Sequence, residues 1–345
     1  MGLIHFEPGR YHQLLFNWYD QYGRHDLPWQ GDFNPYHVWL SEIMLQQTQV
    51  KTVIPYFKKF VACFPDIESL AKADSDTVMC YWAGLGYYAR ARNLHKTAKI
   101  ISAHYHGMIP KDFSSLITLP GIGRSTANAI LSIAFGQKKA ILDGNVKRVF
   151  ARVFALDSHP SDLKCERKLW QIAEKLMPEH RTQAYTQAQM DLGATCCTRV
   201  RPSCSCCPLC SLCLAQAKDK VSDYPVKKAK KSKPVKTRCY YLYQYRDQIY
   251  LVRNPDRGIW GGLYVLPDHD FVFGEYQGML VQNKKHSFTH YDLYYDIRHH
   301  LLPSDMPLSA GLQQSEKAQT GQWVSLRKLG NYALATPFKN ALAAL

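Results

Sequence analysis

Seven of the chain's 11 cysteines fall between Cys196 and Cys213, and no other feature restricts the fold so tightly. The first ten residues lack the long apolar core of a secretory signal, so a knot this dense points to metal rather than to disulfides. Cys197, Cys204, Cys207 and Cys213 form the spacing C-x6-C-x2-C-x5-C. Four thiolates this close in sequence can wrap one compact centre, because a short loop closes at low entropic cost. Soft sulfur ligands suit iron–sulfur or zinc, and spacing alone does not choose between them. Cys196, Cys206 and Cys210 allow other tetrads to be drawn.

At 345 residues the chain has room for two or three domains, and 46% hydrophobic with 21% charged residues is a globular balance. No run approaches the ~18 apolar residues of a membrane span. The expected location is therefore the cytoplasm or an equivalent reducing compartment. Charge is uneven. Residues 1–217 carry 24 basic and 17 acidic side chains, residues 218–238 carry 9 and 2, and residues 239–345 carry 10 and 9. Two positive segments in a chain of net charge +15 suggest a polyanionic partner, nucleic acid first.

The patterning predicts three parts. Residues 1–217 read as an all-α domain, with helical stretches at 36–53 (stopped by Pro55), 76–82, 89–104, 125–135, 146–155 and 166–176. Asn34-Pro35 is a helix start, a capping residue followed by proline at the first helical position. Residues 218–238 are Lys-rich, with two prolines and little to bury, and read as a solvated linker. Residues 239–345 turn to strand signals at 239–252 and 287–297 around a Gly-rich turn, Gly258–Tyr264, and make an α+β domain.

Leu119-Pro-Gly-Ile-Gly123 lies between helical segments, within residues 115–135. Gly121 and Gly123 permit a tight turn and leave N–H groups open at a helix N-terminus, where a phosphate is favoured. Two carboxylates stand out. Glu42 sits in the otherwise apolar stretch Val38–Leu45, where an unpaired carboxylate is costly. Asp143 follows Ala140-Ile-Leu142; it suits a helix N-cap, but Asn145 could take that role and leave it free. A carboxyl of raised pKa beside an ionised one makes an acid and a charge stabiliser for breaking a glycosidic bond.

Taken with Ser41–Thr48, Gly84–Arg92, Leu119–Ala127, Leu142–Arg148, Gly258–Tyr264 and the region His286–His290, these residues resemble the adenine DNA glycosylases, which remove adenine mispaired with 8-oxoguanine. The resemblance spans nearly the whole chain. It implies a helix-hairpin-helix glycosylase fold, a [4Fe–4S] cluster on Cys197, Cys204, Cys207 and Cys213 in the loop 196–213, and a Nudix-like C-terminal domain that recognises 8-oxoguanine. It further implies a monofunctional hydrolase of base excision repair, monomeric, nucleoid-associated and not bound to membrane, acting on double-stranded DNA with A:8-oxoguanine or A:G mispairs. Glu42 corresponds to the general acid and Asp143 to the carboxylate that stabilises the sugar cation. Gln47 and Tyr87 match residues inserted into the DNA stack, and Gln187 matches a contact to the extruded adenine. Gly121, Gly123, Ser125, Asn145 and Lys147 fall on expected DNA contacts, and Phe288, Thr289 and His290 on the loop that inspects 8-oxoguanine. That loop usually reads Phe-Ser-His; here the hydroxyl is kept and a methyl added.

Three other readings compete less well. Glycosylase/lyases place a nucleophilic Lys after the hairpin Gly-x-Gly-Arg, where this chain has Ser125, which cannot form a Schiff base. A non-catalytic DNA binder leaves Glu42 and Asp143 unexplained. A nucleotide hydrolase needs a metal-binding Glu-rich helix, and residues 239–345 hold only Glu275 and Glu316.

Overall fold

The computed structural model describes residues 7–228, 232–270, 275–303, 321–343 and 345. Contacts divide these into two compact units, the first drawn from residues 1–61, 66–68 and 97–230, the second from 62–65, 69–96 and 231–345. Among the described residues no helix is long and apolar enough to cross a membrane.

The first unit is helical. Asn34 caps the helix Pro35–Leu45, its Oδ1 accepting the Tyr36 N–H at 2.9 Å, with Pro35 at the first position. That helix packs on Arg124–Phe135, which also meets Phe113–Thr118 and Thr182–Asp191. Tyr11, Leu15, Val149, Leu169, Ile172 and Leu192, from Pro8–Tyr22, Gly144–Val153, Leu163–Lys175 and Leu192–Cys196, are fully enclosed in the core of this unit. The expected helix 36–53 is in fact two. The chain breaks at Gln46–Gln49, where Gln47 adopts a left-handed φ of 60°, and restarts as Val50–Cys63. Pro55 does not stop this second helix. The carbonyl it leaves without a helical donor is that of Lys51, in the first turn of the helix on an exposed residue. Helices Pro8–Tyr22, Ile67–Lys72 and Phe113–Thr118 add to those expected.

The basic segment after residue 217 is tied down where it is described. Tyr224 is buried against Ala155 and Ala215, and its hydroxyl donates to Asp157 at 3.1 Å. Residues 229–231 of the expected linker lie outside the described residues, and 235–238 already belong to the first strand.

Among the described residues the second unit is built on a six-stranded mixed sheet: β1 Val235–Tyr245, β2 Gln248–Arg253, β3 Tyr264–Val265, β4 Glu275–Ser287, β5 Asp292–Leu301 and β6 Gly321–Ser325. The order is β3-β2-β1-β5-β4, with β6 paired to β2; β1 and β5 run parallel and the other pairs antiparallel. The expected strand 239–252 is therefore a hairpin, turned at Arg246, whose φ is 53°. The expected strand 287–297 spans a second turn, 288–291, closed by the Phe288 N–H donating to the Tyr291 carbonyl. This unit also takes in residues 69–96, which the linear division places with residues 1–217. Side-chain bonds explain it: Asp76 holds Arg253 and Tyr264, and Arg92 holds Gly261.

Candidate active site

Glu42 sits on the last two turns of Pro35–Leu45, flanked by buried Ser41, Ile43 and Met44. Enclosure of its carboxyl, with the negative Asp143 as a second cause, pushes it up from 4.5 to about 8. Asp143 precedes the helix Gly144–Val153 and, contrary to the expectation that Asn145 could relieve it, is itself the N-cap: its Oδ1 accepts the Val146 N–H at 2.8 Å. Burial raises the Asp143 pKa too, but Val146, Arg148 and Asn145 all pull it down. The two carboxyls thus repel, and only Asp143 has compensating donors. Near neutrality Glu42 therefore holds its proton, while Asp143, raised by burial as well, is the carboxyl whose charged form the Val146, Arg148 and Asn145 contacts favour.

Asn145 turns instead to Arg148, whose Nη2 donates to its Oδ1 at 2.9 Å. Lys147 makes a 2.6 Å ion pair with Glu166. Ser125, at the start of Arg124–Phe135, accepts the Leu142 N–H on its hydroxyl. Gly121 has φ 81°, and Gly123 caps the same helix without a side chain, so the hairpin leaves an exposed helix N-terminus. Gln187 is buried and donates to Asp191 at 2.8 Å. Asp191 is fully buried and takes Arg24 through its guanidinium and its backbone N–H. The sequence reading missed this pair, because 167 residues separate its members.

Gln47 and Tyr87, in separate units, share one property. Each is exposed, and each holds a left-handed backbone, φ 60° and 49°, that L side chains rarely adopt. In the second unit Phe288 is wedged among Trp260, His286 and Tyr291, with ring centroids 4.7–5.3 Å apart, leaving Thr289 and His290 exposed at the turn.

Cys197, Cys204, Cys207 and Cys213 line one small cavity, together with Cys196 and Cys210. Cys206 is exposed and outside it. Among the described residues no three His, Cys, Asp or Glu side chains converge as a single metal ion requires. Burial pushes the thiols of Cys197, Cys204 and Cys213 up; for Cys207 the bond with Cys196 is the larger cause and burial the second. Two arginines one turn apart on Gly144–Val153 grip the loop. Arg148 donates to the carbonyls of Cys197 and Gly193, and Arg152 to the Cys197 Sγ at 3.3 Å and the Thr198 carbonyl at 2.7 Å. Gly193 is required for this approach, since a Cβ there would stand 2.6 Å from the Asn145 Cβ. The helix that Asp143 caps is thus also the support of the cysteine loop.

Residues 40–175 match the HhH-GPD superfamily of base excision DNA repair proteins, and residues 238–344 match the NUDIX domain. Among solved structures a thermostable thymine-DNA glycosylase aligns with a TM-score of 0.56 at 26% identity, over 61% of this chain and 97% of its own. Endonuclease III in a non-covalent DNA complex aligns at 0.52 and 22%, over 62% and 98%, which supports the fold. A helix-hairpin-helix base excision fold joined to a NUDIX fold is the class so defined. The adenine DNA glycosylase of Buchnera aphidicola subsp. Schizaphis graminum is 39% identical over 96% of this chain and 97% of its own length. The one from subsp. Acyrthosiphon pisum is 47% identical over 74% and 73%, and the human one 46% over 59% and 38%. The chain belongs to the adenine DNA glycosylases, enzymes that break N-glycosidic bonds in base excision repair.

Proposed function

We propose that the protein excises adenine mispaired with 8-oxoguanine or guanine in double-stranded DNA, by hydrolysis without strand scission. The observation that carries the chemistry is the pair Glu42 and Asp143: one carboxyl held protonated to about pH 8 beside another whose charged form is favoured by Val146, Arg148 and Asn145. Adenine leaves poorly as an anion, and Glu42 donates the proton that lets it leave neutral. Asp143 faces the positive charge that grows on the sugar. The base must first leave the stack, at a cost of a few kcal/mol. Insertion of Gln47 and Tyr87, both exposed and both on left-handed backbone, offsets part of it. Gln187, oriented by Asp191, contacts the extruded base. Gly121, Gly123 and Ser125 at the hairpin, with Asn145 and Lys147 on the next helix, take the DNA backbone. The turn Phe288-Thr289-His290 reads the opposite base. Ser125 offers no amine, which makes the enzyme monofunctional.

The cysteine loop fits a [4Fe–4S] cluster on Cys197, Cys204, Cys207 and Cys213. Its sulfurs stand around a shared cavity rather than at one point, and Arg148 and Arg152 favour thiolates there. Bound, the cluster would cross-link this loop at four points. One chain carries every residue the reading uses, so the working form is a monomer, and a chromosomal substrate places it at the cytoplasmic nucleoid. The test is single-turnover kinetics on A:8-oxoguanine, A:G and A:T duplexes, with Glu42→Gln as the control. Adenine release from the first two, lost in Glu42→Gln, is expected; release by the folded variant at near the parent rate would sink the assignment.

A further inference from the structure

Two sequence motifs 169 residues apart are bonded together inside the second unit. Arg92, which ends Gly84–Arg92, donates through Nη1 to the Gly261 carbonyl at 2.5 Å. Gly261 cannot carry a side chain, since a Cβ there would meet the Arg257 backbone at 2.8 Å. Its neighbour Trp260 holds a left-handed φ of 54° and turns its ring onto Phe288, 5.3 Å between centroids. Tyr87 lies five residues before Arg92, in a turn pinned by Trp82 and by Arg90, each of which donates to the Gly86 carbonyl at 3.2 Å. From the Tyr87 turn to the Phe288 turn the route is one helix start, one hydrogen bond and one ring contact.

A second tie runs in parallel. Asp76 lies in the first turn of the helix Ser75–Trp82, which leads into the Tyr87 turn. Its Oδ1 accepts Arg253 Nε at 2.9 Å and its Oδ2 accepts the Tyr264 hydroxyl at 2.8 Å. Arg253 and Tyr264 are direct cross-strand partners on β2 and β3, so one carboxylate is gripped at both oxygens by a rigid pair. Tyr264 is fixed further by backbone bonds to Ala333 and Ala335.

We infer that Asp76 and Arg92 are positioning residues for mispair discrimination: they hold the Tyr87 turn and the Phe288–His290 turn in one register, so that wedge insertion and inspection of the opposite base occur together. The inference rests on the reading of Tyr87 and Thr289 given above. Neither Asp76 nor Arg92 needs to touch DNA for this. If the register loosens, the penalty falls on the duplex whose opposite base is inspected most closely, and general excision survives.

The experiment uses the full-length protein and the ratio of single-turnover rates on A:8-oxoguanine and A:G duplexes. Asp76→Asn, close to isosteric, and Arg92→Ala should each lower the ratio about tenfold, the scale of one lost charge-assisted hydrogen bond. Asp76→Glu, which keeps the charge, should retain most of it. Tyr87→Ala and Thr289→Ala are run alongside. An unchanged ratio in Asp76→Asn and Arg92→Ala, with both companions altered, overturns the inference and leaves the reading standing. An equal loss on both duplexes also overturns it, as the mark of a merely structural role. If the companions leave the ratio unchanged, the reading falls and the inference with it.

Discussion

The Ser125 hydroxyl accepts the backbone N–H of Leu142 at 3.0 Å, binding the first turn of the hairpin's second helix to the residue before Asp143. The hairpin and the segment that carries Asp143 are therefore tied together. Ser125→Ala leaves a buried N–H without its acceptor, which costs about 1–3 kcal/mol. The expected outcome is a several-fold slower excision and a lower melting temperature, both read on the purified variant. Ser125→Lys loses the same bond but offers an amine to an abasic sugar. Borohydride trapping on DNA should rise above that of the parent, whose Lys147 is engaged by Glu166. Equal trapping by the two would argue that position 125 does not face the sugar.

Glu42 ties both activity and stability to pH, and both decline as pH rises. Its carboxyl stands at about 8 in the fold against 4.5 ordinarily, so the unfolded chain releases the proton first as pH rises. Stability is full below 4.5, falls by roughly 1.4 kcal/mol per unit through the interval up to about 8, and levels off above it. Glu42→Gln cannot titrate. It should melt higher than the parent at pH 8.5 and lose most of that advantage at pH 4.5, while excising nothing. The parent's excision rate should decline as pH passes about 8. A gap in melting temperature that ignores pH would mean that Glu42 is not held protonated.

Asp143 has two roles that a single substitution separates. Asparagine caps helices as well as aspartate does, so Asp143→Asn keeps the bond to the Val146 N–H and loses only charge. Helical content and melting temperature should stay close to the parent's, with the rate reduced by orders of magnitude. Asp143→Ala should lose the cap as well, at about 1 kcal/mol. A fully active Asp143→Asn would reduce the residue to its capping role.

What could be read in the sequence was what short segments determine. The cap at Asn34-Pro35, the hairpin glycines and the cysteine spacing follow from local rules, and the structure keeps the first two as expected. Local rules failed where the competitor was distant or two residues were equally fit. Asp143 and Asn145 cap equally well, and Asn145 is claimed by Arg148. Pro55 reads as a stop, but it lies only five residues after the start of the helix Val50–Cys63, which runs on through it. The pairs Arg24–Asp191 and Asp76–Arg253 join residues more than 160 positions apart, beyond any periodicity. The last of these also bears on deletion of residues 236–345, which would strip Asp76 and Arg92 of their partners. Point variants at Thr289 therefore test lesion reading more cleanly than truncation.

Such a variant, Thr289→Ala, should weaken the preference for 8-oxoguanine over guanine by the worth of one hydrogen bond, about 0.5–1.5 kcal/mol. Thr289→Ser keeps the hydroxyl on an exposed turn and should be nearly neutral. The ratio of excision rates on the two mispairs measures both.

The cysteine loop gives the final prediction, because its support is separable from its ligands. Serine variants of Cys197, Cys204, Cys207 and Cys213 should each lose iron and the visible absorption that accompanies it. Cys206, exposed and outside the cavity, should be replaceable without loss. Cys196 and Cys210 line the cavity, so their variants decide between tetrads: iron retained in both upholds the set chosen, and iron lost in either with a retained member of that set replaces it. Gly193→Ala provides an independent check, since it touches no sulfur. Its Cβ would press on Asn145, and Asn145 is bonded to Arg148, which holds the Cys197 carbonyl. The loop should be displaced, with slower iron uptake and a lower melting temperature. Adenine excision should fall as well if Asp143, two residues before Asn145, stabilises the sugar as proposed. Normal iron content together with normal excision in Gly193→Ala would show that the loop and the Asp143 helix are not mechanically joined.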